Sequence, residues 1–309
     1  MAKLPRLWAP KPWRAVDYNE DAILRCIRKH GYVFADPKLD GMRCHILQLD
    51  GRWVATSREG IEIQALRGTL QRNSGVLNAN VSMHTVLDCE VLISGINFEK
   101  STGLLRKHDD DVPEMYQDRV EIHVFDAVWK VPDGCMQSDL PLAERQLEMI
   151  ERLERTDYQS DFVPVHYRRV KCSSVIELNA AYDRFRRNGF EGAVYKDPSM
   201  PYRNGKVTGW WKRKPDLTVG GVVVGLRWGD AGKANEGLVV GFEVELEDGS
   251  TCVATGLTQE AMHAVTAAPS TYIARAIEVK AMERTAQGNL RHPKFNRWRD
   301  TEETKGIEE

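Results

Sequence analysis

The 309-residue sequence has little that would place it among membrane, secreted or zinc-binding proteins. None of its six cysteines forms a Cys-x-x-Cys pair. Scattered cysteines are typical of reduced thiols in a cytosolic protein, and they predict no structural zinc site. No apolar run approaches the roughly 18 residues of a membrane-spanning helix, and the basic N-terminus lacks the apolar segment of a secretory signal. We therefore expect a cytoplasmic protein without membrane contact.

A strong charge of either sign is also missing, since the formal net charge is −2. Any contact with nucleic acid must then come from local basic patches and not from a global field. Hydrophobic residues make up 42% of the chain and charged residues 28%, which is ordinary for a soluble globular protein. The length suffices for one large domain or two ordinary ones.

Hydrophobic periodicity divides the first two thirds of the chain into helices and strands. Gly31 and Gly189 are typical stops for two of the helices, and Ser138 or Asp139 is the expected cap of another. We predict helices over 20–30, 139–155 and 174–188, and strands within 32–60 and over 85–93, 120–129 and 191–196.

The pattern changes after Pro215. Residues 217–257 are rich in glycine and valine and alternate between apolar and polar, with a hairpin signal at Asp248-Gly249. Residues 273–283 alternate again. This pattern predicts a small antiparallel β-barrel, so we place a domain boundary at residue 216, with domains over 1–216 and 217–309.

Residues 38–43, Lys-Leu-Asp-Gly-Met-Arg, combine a lysine with a tight turn between two strands. A lysine amine is protonated at neutral pH and is then a poor nucleophile, but neighbouring cations or a desolvated site free its lone pair. Gly41 would let the backbone approach a phosphate, and Arg43 would point into the same pocket. Lys38 is therefore a candidate nucleophile, whereas the alternative is an exposed, charged hairpin.

Four later segments add acidic and basic side chains. Alternation along a strand places Asp88 and Glu90 on one face, and likewise Lys212 and Lys214. Carboxylates suit Mg²⁺, whereas lysines suit the oxygens of a triphosphate. The segments are Ser57-Arg58-Glu59-Gly60, Asp88-Cys89-Glu90, Glu191-Gly192-Ala193-Val194-Tyr195-Lys196 and Trp210-Trp211-Lys212-Arg213-Lys214.

The ordered motifs KLDGMR, SREG, LDCEV, VFDAVW, EGAVYKD and GWWKRK resemble those of the covalent nucleotidyltransferases, which include DNA ligases, RNA ligases and mRNA-capping enzymes. The finer resemblance is to the small ATP-dependent DNA ligases of tailed bacteriophages. It extends to FEKSTGLLR, LRWGDAGKANEGLVVGFEVELEDG and LRHPKFNRWRDTEE. It covers most of the chain from about residue 31 to the end.

The resemblance implies an α+β fold: an ATP-grasp-like nucleotidyltransferase domain of antiparallel sheets with helices, followed by an all-β OB-fold domain. It implies an enzyme that seals nicks in duplex DNA through a lysyl-AMP, then a DNA-adenylate, then a phosphodiester bond. ATP and Mg²⁺ (or Mn²⁺) would be required, and nicked duplex DNA would be the partner. We expect a monomer.

Residue roles on the nucleoside side also follow from the resemblance. Lys38 would attack the α-phosphate and form the lysyl-AMP. Asp36 and Pro37 would lie at the nucleotide, with Asp36 near the adenine. Phe125 would stack on the adenine ring, and Glu90 would hold the ribose hydroxyls or a metal ion.

Roles on the phosphate side follow in the same way. Arg43 would contact AMP and the nick, Arg58 the phosphates, and Lys212 and Lys214 the α-phosphate. Glu191 would bind the metal ion.

Two positions depart from the family pattern. Cys89 stands between the paired acids, where the family often has glycine. Many members end in an Arg-x-Asp-Lys motif that orients pyrophosphate, whereas here Arg297-Trp298-Arg299-Asp300 has no lysine after it. Phage members lack that lysine too, so we do not interpret its absence as inactivation.

Other functions remain as alternatives at this stage. An RNA ligase or an mRNA-capping guanylyltransferase belongs to the same superfamily, and the choice between ATP and GTP separates ligases from capping enzymes. A non-catalytic nucleic-acid binder with an OB fold belongs to a different class. The combination of Lys38 with two acids and two further lysines argues against that binder, which has no use for an activated lysine.

Overall fold

A computed structural model describes residue 7 and residues 12–130, 136–145, 162–164, 168–285 and 287–299. The chain divides into two units, Met1–Arg213 and Lys214–Glu309. No helix in the described ranges is long and apolar enough to cross a membrane.

The first unit is made of two sheets and the helices that cover them. Its strands are β1 (Trp13–Asp17), β2 (Val33–Lys38), β3 (Met42–Leu49), β4 (Arg52–Ser57), β5 (Thr85–Ile93), β6 (Val120–Lys130), β7 (Met136–Gln137), β8 (Phe162–Pro164), β9 (Val170–Cys172), β10 (Gly192–Lys196) and β11 (Gly205–Arg213). Its helices are α1 (Glu20–His30), α2 (Arg67–Arg72), α3 (Ser74–Asn80), α4 (Phe98–Leu105), α5 (Glu114–Gln117) and α6 (Val175–Arg187).

The first sheet has the strand order β1-β11-β10-β2-β9, and the second has the order β4-β3-β5-β6-β7 with β8 beside β6. Pairing is antiparallel except between β1 and β11 and between β6 and β8. Helices α1 and α6 pack on the first sheet, and α2 to α4 pack on the second. A shared core that includes Trp13, Leu47, Val86 and Trp210 joins strands of both sheets.

Local signals explain where the two long helices of the first sheet begin and end. Helix α1 begins after Asn19, whose side chain accepts a hydrogen bond from the Ala22 amide, and it ends at Gly31 in the left-handed conformation. Helix α6 begins after Ser174, which accepts from the Glu177 amide. Both helices were predicted from the sequence.

The helix predicted over 139–155 begins later than expected. Helical residues start at 142, directly after Pro141, and not after Ser138 or Asp139. Proline suits this position because its missing N–H would have no partner in the first turn. Residues 146–161 lie outside the described part of the chain, so most of this prediction does as well.

The second unit is a closed five-stranded barrel. Its strands are β12 (Leu217–Trp228), β13 (Val239–Leu246), β14 (Thr251–Thr255), β15 (Ala276–Ala281) and β16 (Lys294–Trp298), in the order β12-β13-β14-β16-β15. Helix α7 (Gln259–Ala267) follows the third strand of the barrel. Phe242 is fully buried and packs on the rings of Phe295 and Trp298. The predicted barrel is confirmed, with the hairpin at Asp248-Gly249, although β14 and β16 pair in parallel.

Candidate active site

The first unit contains an open cavity of about 140 Å³. Both sheets contribute to its walls. The lining residues are Ala15, Asp36, Pro37, Lys38, Leu39, Arg43, Glu90, Phe125, Val194, Lys196, Trp210 and Lys212.

Lys38 lies at the end of β2 and forms an ion pair with the carboxylate of Glu191. The antiparallel pairing of β2 with β10 brings these residues together, because Gly192 is opposite Lys38 in the register. The Glu191 amide also donates to the Lys38 carbonyl at 2.9 Å. Glu191 does not line the cavity, but it contacts Lys38, which does.

Glu90 enters the cavity from β5, opposite Arg43 of β3. Its Oε1 accepts a hydrogen bond from the Gly41 amide at 3.2 Å. Burial raises the pKa of Glu90 to about 7, even though Lys38 and Arg43 lower it. The carboxyl is thus poised between its neutral and charged forms near neutral pH.

Gly41 packs closely against strand β5. A Cβ atom at this position would lie 2.5 Å from the Val91 carbonyl oxygen and 2.9 Å from Glu90 Cγ. The glycine is needed because the turn packs directly against the backbone of β5. The approach of this backbone to a phosphate stays a prediction.

Arg43 lines the cavity and is held there by hydrogen bonds to Asp88 and Trp13. Its guanidinium donates two hydrogen bonds to Asp88, at 2.9 and 2.6 Å, and a third to the Trp13 carbonyl at 2.6 Å. Tyr202 adds a hydroxyl donor to Asp88 at 2.7 Å. Although burial raises it, Arg43 holds the pKa of Asp88 well below its usual range. The Arg43 guanidinium lies 5.1 Å from the centre of the Phe125 ring.

Asp36 is only 2% exposed and is paired with two cations. Arg169 forms an ion pair with its carboxylate, and Lys196 Nζ lies 2.8 Å from Oδ2. Lys196 also packs on aromatic faces, 4.2 Å from the ring centre of Trp210 and 5.2 Å from that of Phe125. Burial lowers the pKa of Lys196 despite the nearby carboxylate.

Arg169 and Lys196 were not among the predicted site residues. Lys196 could have been predicted from the sequence, because it belongs to the EGAVYKD motif. Arg169 belongs to none of the motifs, and the sequence offered no signal for it.

The cavity brings together seven of the predicted residues, namely Asp36, Pro37, Lys38, Arg43, Glu90, Phe125 and Lys212. It does not include Arg58, whose side chain is 58% exposed and pairs with Glu59 at 2.9 Å. It does not include Lys214 either. Lys212 Nζ lies 3.1 Å from Asp17 at the edge of the site.

The expectation that Lys212 and Lys214 share a strand face is wrong. Strand β11 ends at Arg213, so Lys214 lies beyond it. Pro215 follows, and a proline has no N–H with which to extend the ladder.

The C-terminal arginines pair within the barrel. Arg297 lies 3.2 Å from Glu278, and Arg299 lies 2.7 Å from Glu247. Asp300, the last residue of the atypical tail motif, is outside the described residues.

Two family models match the chain along most of its length. The model described as "ATP dependent DNA ligase domain" matches residues 15–214, and "DNA ligase C-terminal domain" matches residues 215–271. The chain belongs to the ATP-dependent DNA ligases. The match includes every residue that lines the cavity.

Individual ligases resemble this one over almost their whole length. The DNA ligase of Enterobacteria phage T3 is 29% identical over an alignment of 338 positions, which covers 94% of this chain and 96% of that protein. The ATP-dependent DNA ligase of bacteriophage T7, solved in complex with ATP, is 28% identical with a TM-score of 0.57, covering 94% of this chain and 98% of that one. A structure from a study of Lig E DNA ligases shares the fold, with a TM-score of 0.69 at 20% identity, over 93% of this chain and 98% of that one.

These matches confirm the predicted fold and activity. The ligase has a nucleotidyltransferase domain of sheets and helices followed by an OB-fold barrel, and it is an ATP-dependent DNA ligase. The RNA ligase, the capping enzyme and the non-catalytic binder are therefore set aside.

Proposed function

We propose that Lys38 is the nucleophile of this ligase and takes AMP from ATP. The observation that supports this most directly is the cavity, where Lys38 lies with Glu90, Arg43 and Lys212. The amine loses one proton to solvent and attacks the α-phosphorus. The new P–N bond forms as the bond to the β-phosphate oxygen breaks, and pyrophosphate and a second proton leave.

The nucleoside is proposed to lie among the apolar and acidic lining residues. Phe125 offers an aromatic ring on which adenine can stack. Glu90 is proposed to hold either the ribose hydroxyls or the metal ion. Pro37 lies beside Lys38 in the cavity wall. Asp36 acts on the adenine end through Lys196, because its own carboxylate is held by that lysine and by Arg169.

The phosphates are proposed to lie among the cations. Arg43 and Lys212 line the cavity and would stabilise charge on a phosphoryl group. Arg58 and Lys214 are proposed as phosphate contacts on the motif resemblance alone, since neither lines the cavity.

Glu90 and Glu191 are the proposed ligands for Mg²⁺ or Mn²⁺, which prefer oxygen donors. Glu90 fits this role because its burial disfavours the anion even beside Lys38 and Arg43, and a divalent cation would remove that cost. When bound, the ion would neutralise charge on the phosphate oxygens.

We further propose that nicked duplex DNA is the partner, and that the ligase acts as a monomer in the cytoplasm of a bacterial or phage-infected cell. Similarity to the T3 and T7 phage ligases supports the substrate and the setting. AMP would pass from Lys38 to the 5′-phosphate of the nick, and the 3′-hydroxyl would then displace it to form the phosphodiester.

Two nicked substrates test the role of Lys38. The first has an ordinary 5′-phosphate and the second already has a 5′-adenylate. Lys38→Ala should lose sealing of the first, with ATP present, and keep sealing of the second. Sealing of both substrates at the wild-type rate would refute the proposal, whereas loss of both would point to a misfolded variant and is checked by circular dichroism.

A further inference from the structure

Three side chains of different types lie close together on the far side of the first sheet from the second sheet. Cys26 and His30 are one turn apart on α1, and Asp197 follows the last residue of β10. One ligand atom from each lies within 4.8 Å of the others. His30 Nε2 and Asp197 Oδ1 are 3.8 Å apart.

The backbone and Ser199 fix the position of the carboxylate. The Asp197 amide donates to the Gly209 carbonyl at 2.8 Å. The Ser199 amide and hydroxyl donate to Asp197 Oδ1 at 2.9 and 2.8 Å. The same hydroxyl lies 3.1 Å from His30 Nε2. A carboxylate oriented by neighbouring donors is typical of metal ligands.

The group is also open on one side. Cys26 is 7% exposed and is anchored in the core beneath α1, whereas the side chains of His30 and Asp197 are 20% and 15% exposed. An ion can therefore arrive from solvent without the protein unfolding.

We propose that Cys26, His30 and Asp197 bind one Zn²⁺ ion. Usual zinc bond lengths place the ligand atoms of a tetrahedral site about 3.4–3.6 Å apart, so atoms that lie up to 4.8 Å apart need to approach by about 1.2–1.4 Å at most. The spacing of Cys26 and His30, four residues apart on a helix, presents both side chains on one face. Water takes the fourth position, and Ser199 keeps its hydrogen bonds to Asp197.

The donor set separates this site from the one proposed at Glu90 and Glu191. Sulfur and imidazole nitrogen suit Zn²⁺, whereas two carboxylates suit Mg²⁺. Burial and the neighbouring Asp197 raise the pKa of the Cys26 thiol to about 12, so the thiol keeps its proton without an ion. When the S–Zn bond forms, the S–H bond breaks and the proton leaves to solvent.

Bound zinc would link α1 to the end of β10. Lys196, the residue before Asp197, pairs with Asp36 in the cavity wall. The expected effect is stabilisation of the first unit, because an ion that binds only the folded chain raises its unfolding free energy. The sequence analysis predicted no structural zinc site because the chain has no Cys-x-x-Cys pair, whereas the site proposed here uses a single cysteine.

Cobalt provides a direct test on the full-length chain, since Co²⁺ in a tetrahedral thiolate site gives a sulfur-to-metal charge-transfer band and visible d–d bands. The protein is freed of metal with a chelator and titrated with Co²⁺, and then with Zn²⁺ in competition. We expect one equivalent of Co²⁺ to bind with the thiolate band, Zn²⁺ to displace it, and the melting temperature to rise with Zn²⁺.

Three variants test whether the sulfur-to-cobalt charge-transfer band comes from the site at Cys26 and His30. Cys26→Ser should lose it, and His30→Gln should weaken binding by more than about tenfold. Cys252→Ser, which changes a partly exposed cysteine of the barrel, should behave as wild type. Absence of a thiolate band in the wild type, or the same band in Cys26→Ser, would overturn the proposal. If Cys26→Ser does not fold, unchanged affinity in the partly exposed His30→Gln overturns it instead.

Discussion

Among single residues, Glu90 is expected to make the reaction in the cavity depend on pH. Its pKa of about 7 means that the carboxyl is mostly protonated below that pH and cannot hold a cation, whereas above it the anion forms. We expect Glu90 to add one limb to the pH profile of self-adenylylation, over which the rate rises about tenfold per pH unit until about pH 7. The measurement is a set of single-turnover rates with α-labelled ATP.

The control for this profile is Glu90→Gln, which cannot ionise at this position. It should react slowly and without the limb that ends near pH 7. Retention of that limb in Glu90→Gln would assign it to another group and contradict the role given to Glu90.

Asp36 stabilises the first unit because it neutralises Arg169 and Lys196 inside the protein. Asp36→Asn removes the negative charge and leaves both cations buried, so we expect a loss of about 3–5 kcal/mol of unfolding free energy. Hydrogen exchange of the β2 and β10 amides, measured in increasing urea, reports this quantity for the first unit.

Asp110→Asn is the matched control, since the Asp110 side chain is 89% exposed and forms its ion pair with the exposed His108. It should leave the exchange unchanged. Equal stability of wild type and Asp36→Asn would mean that the buried network does not stabilise this unit.

At the scale of elements, β11 depends on a glycine beside stacked tryptophans. Gly209 has φ +111°, and a Cβ there would lie 2.9 Å from the Trp13 ring, which stacks on Trp210 at 4.8 Å. Gly209→Ala should therefore destabilise the first unit by the strain of that backbone conformation and by about 1–3 kcal/mol of overpacking.

Gly205→Ala separates the two effects. Gly205 also has a positive φ, of +84°, but a Cβ there meets nothing within 4 Å. In thermal unfolding, Gly205→Ala should destabilise the first unit only through the strained backbone conformation. Equal losses of stability in Gly209→Ala and Gly205→Ala would show that the contact of the added methyl group with Trp13 has no cost in free energy.

Elements with local signals were predictable from the sequence. Helix α1 has its Asn19 cap and its Gly31 stop, and β5 has the apolar run that was predicted over 85–93. The start of the helix at 142 was missed because Ser138 and Pro141 both offer plausible beginnings and tertiary contacts decide between them. Lys214 was predicted on the strand face of Lys212, but β11 ends at Arg213, just before Pro215, which cannot extend the ladder.

The site could be predicted in part for the same physical reason. Lys38, Arg43 and Glu90 lie in short motifs with distinctive residue types. Arg169 lies in none, and it reaches Asp36 across 133 residues of sequence through the pairing of β9 with β2. Contacts of that range depend on the topology of the sheet, which no local pattern contains.

At the scale of the whole molecule, the position of the cavity predicts that ATP binding and nick sealing depend on different parts of the chain. All its lining residues lie between Ala15 and Lys212, and the barrel has a core of its own. A fragment of residues 1–216 should bind ATP within about tenfold of the full chain, since its contacts are retained, and should not seal nicks without the OB fold. Calorimetry and a sealing assay measure the two properties.

The full chain at equal concentration is the reference for that experiment. A folded fragment that does not bind ATP would show that the nucleotide site needs residues beyond 216. The boundary proposed from the sequence would then be functionally wrong.

The attack of Lys38 on ATP is tested most directly by mapping the covalent label. The full-length ligase is incubated with α-labelled ATP and Mg²⁺, resolved on a denaturing gel, digested and sequenced by mass spectrometry. We predict one acid-labile AMP on the peptide that contains Lys38 and no label on Lys38→Ala. Label that persists in Lys38→Ala, or that maps to another residue in the wild type, would contradict the account.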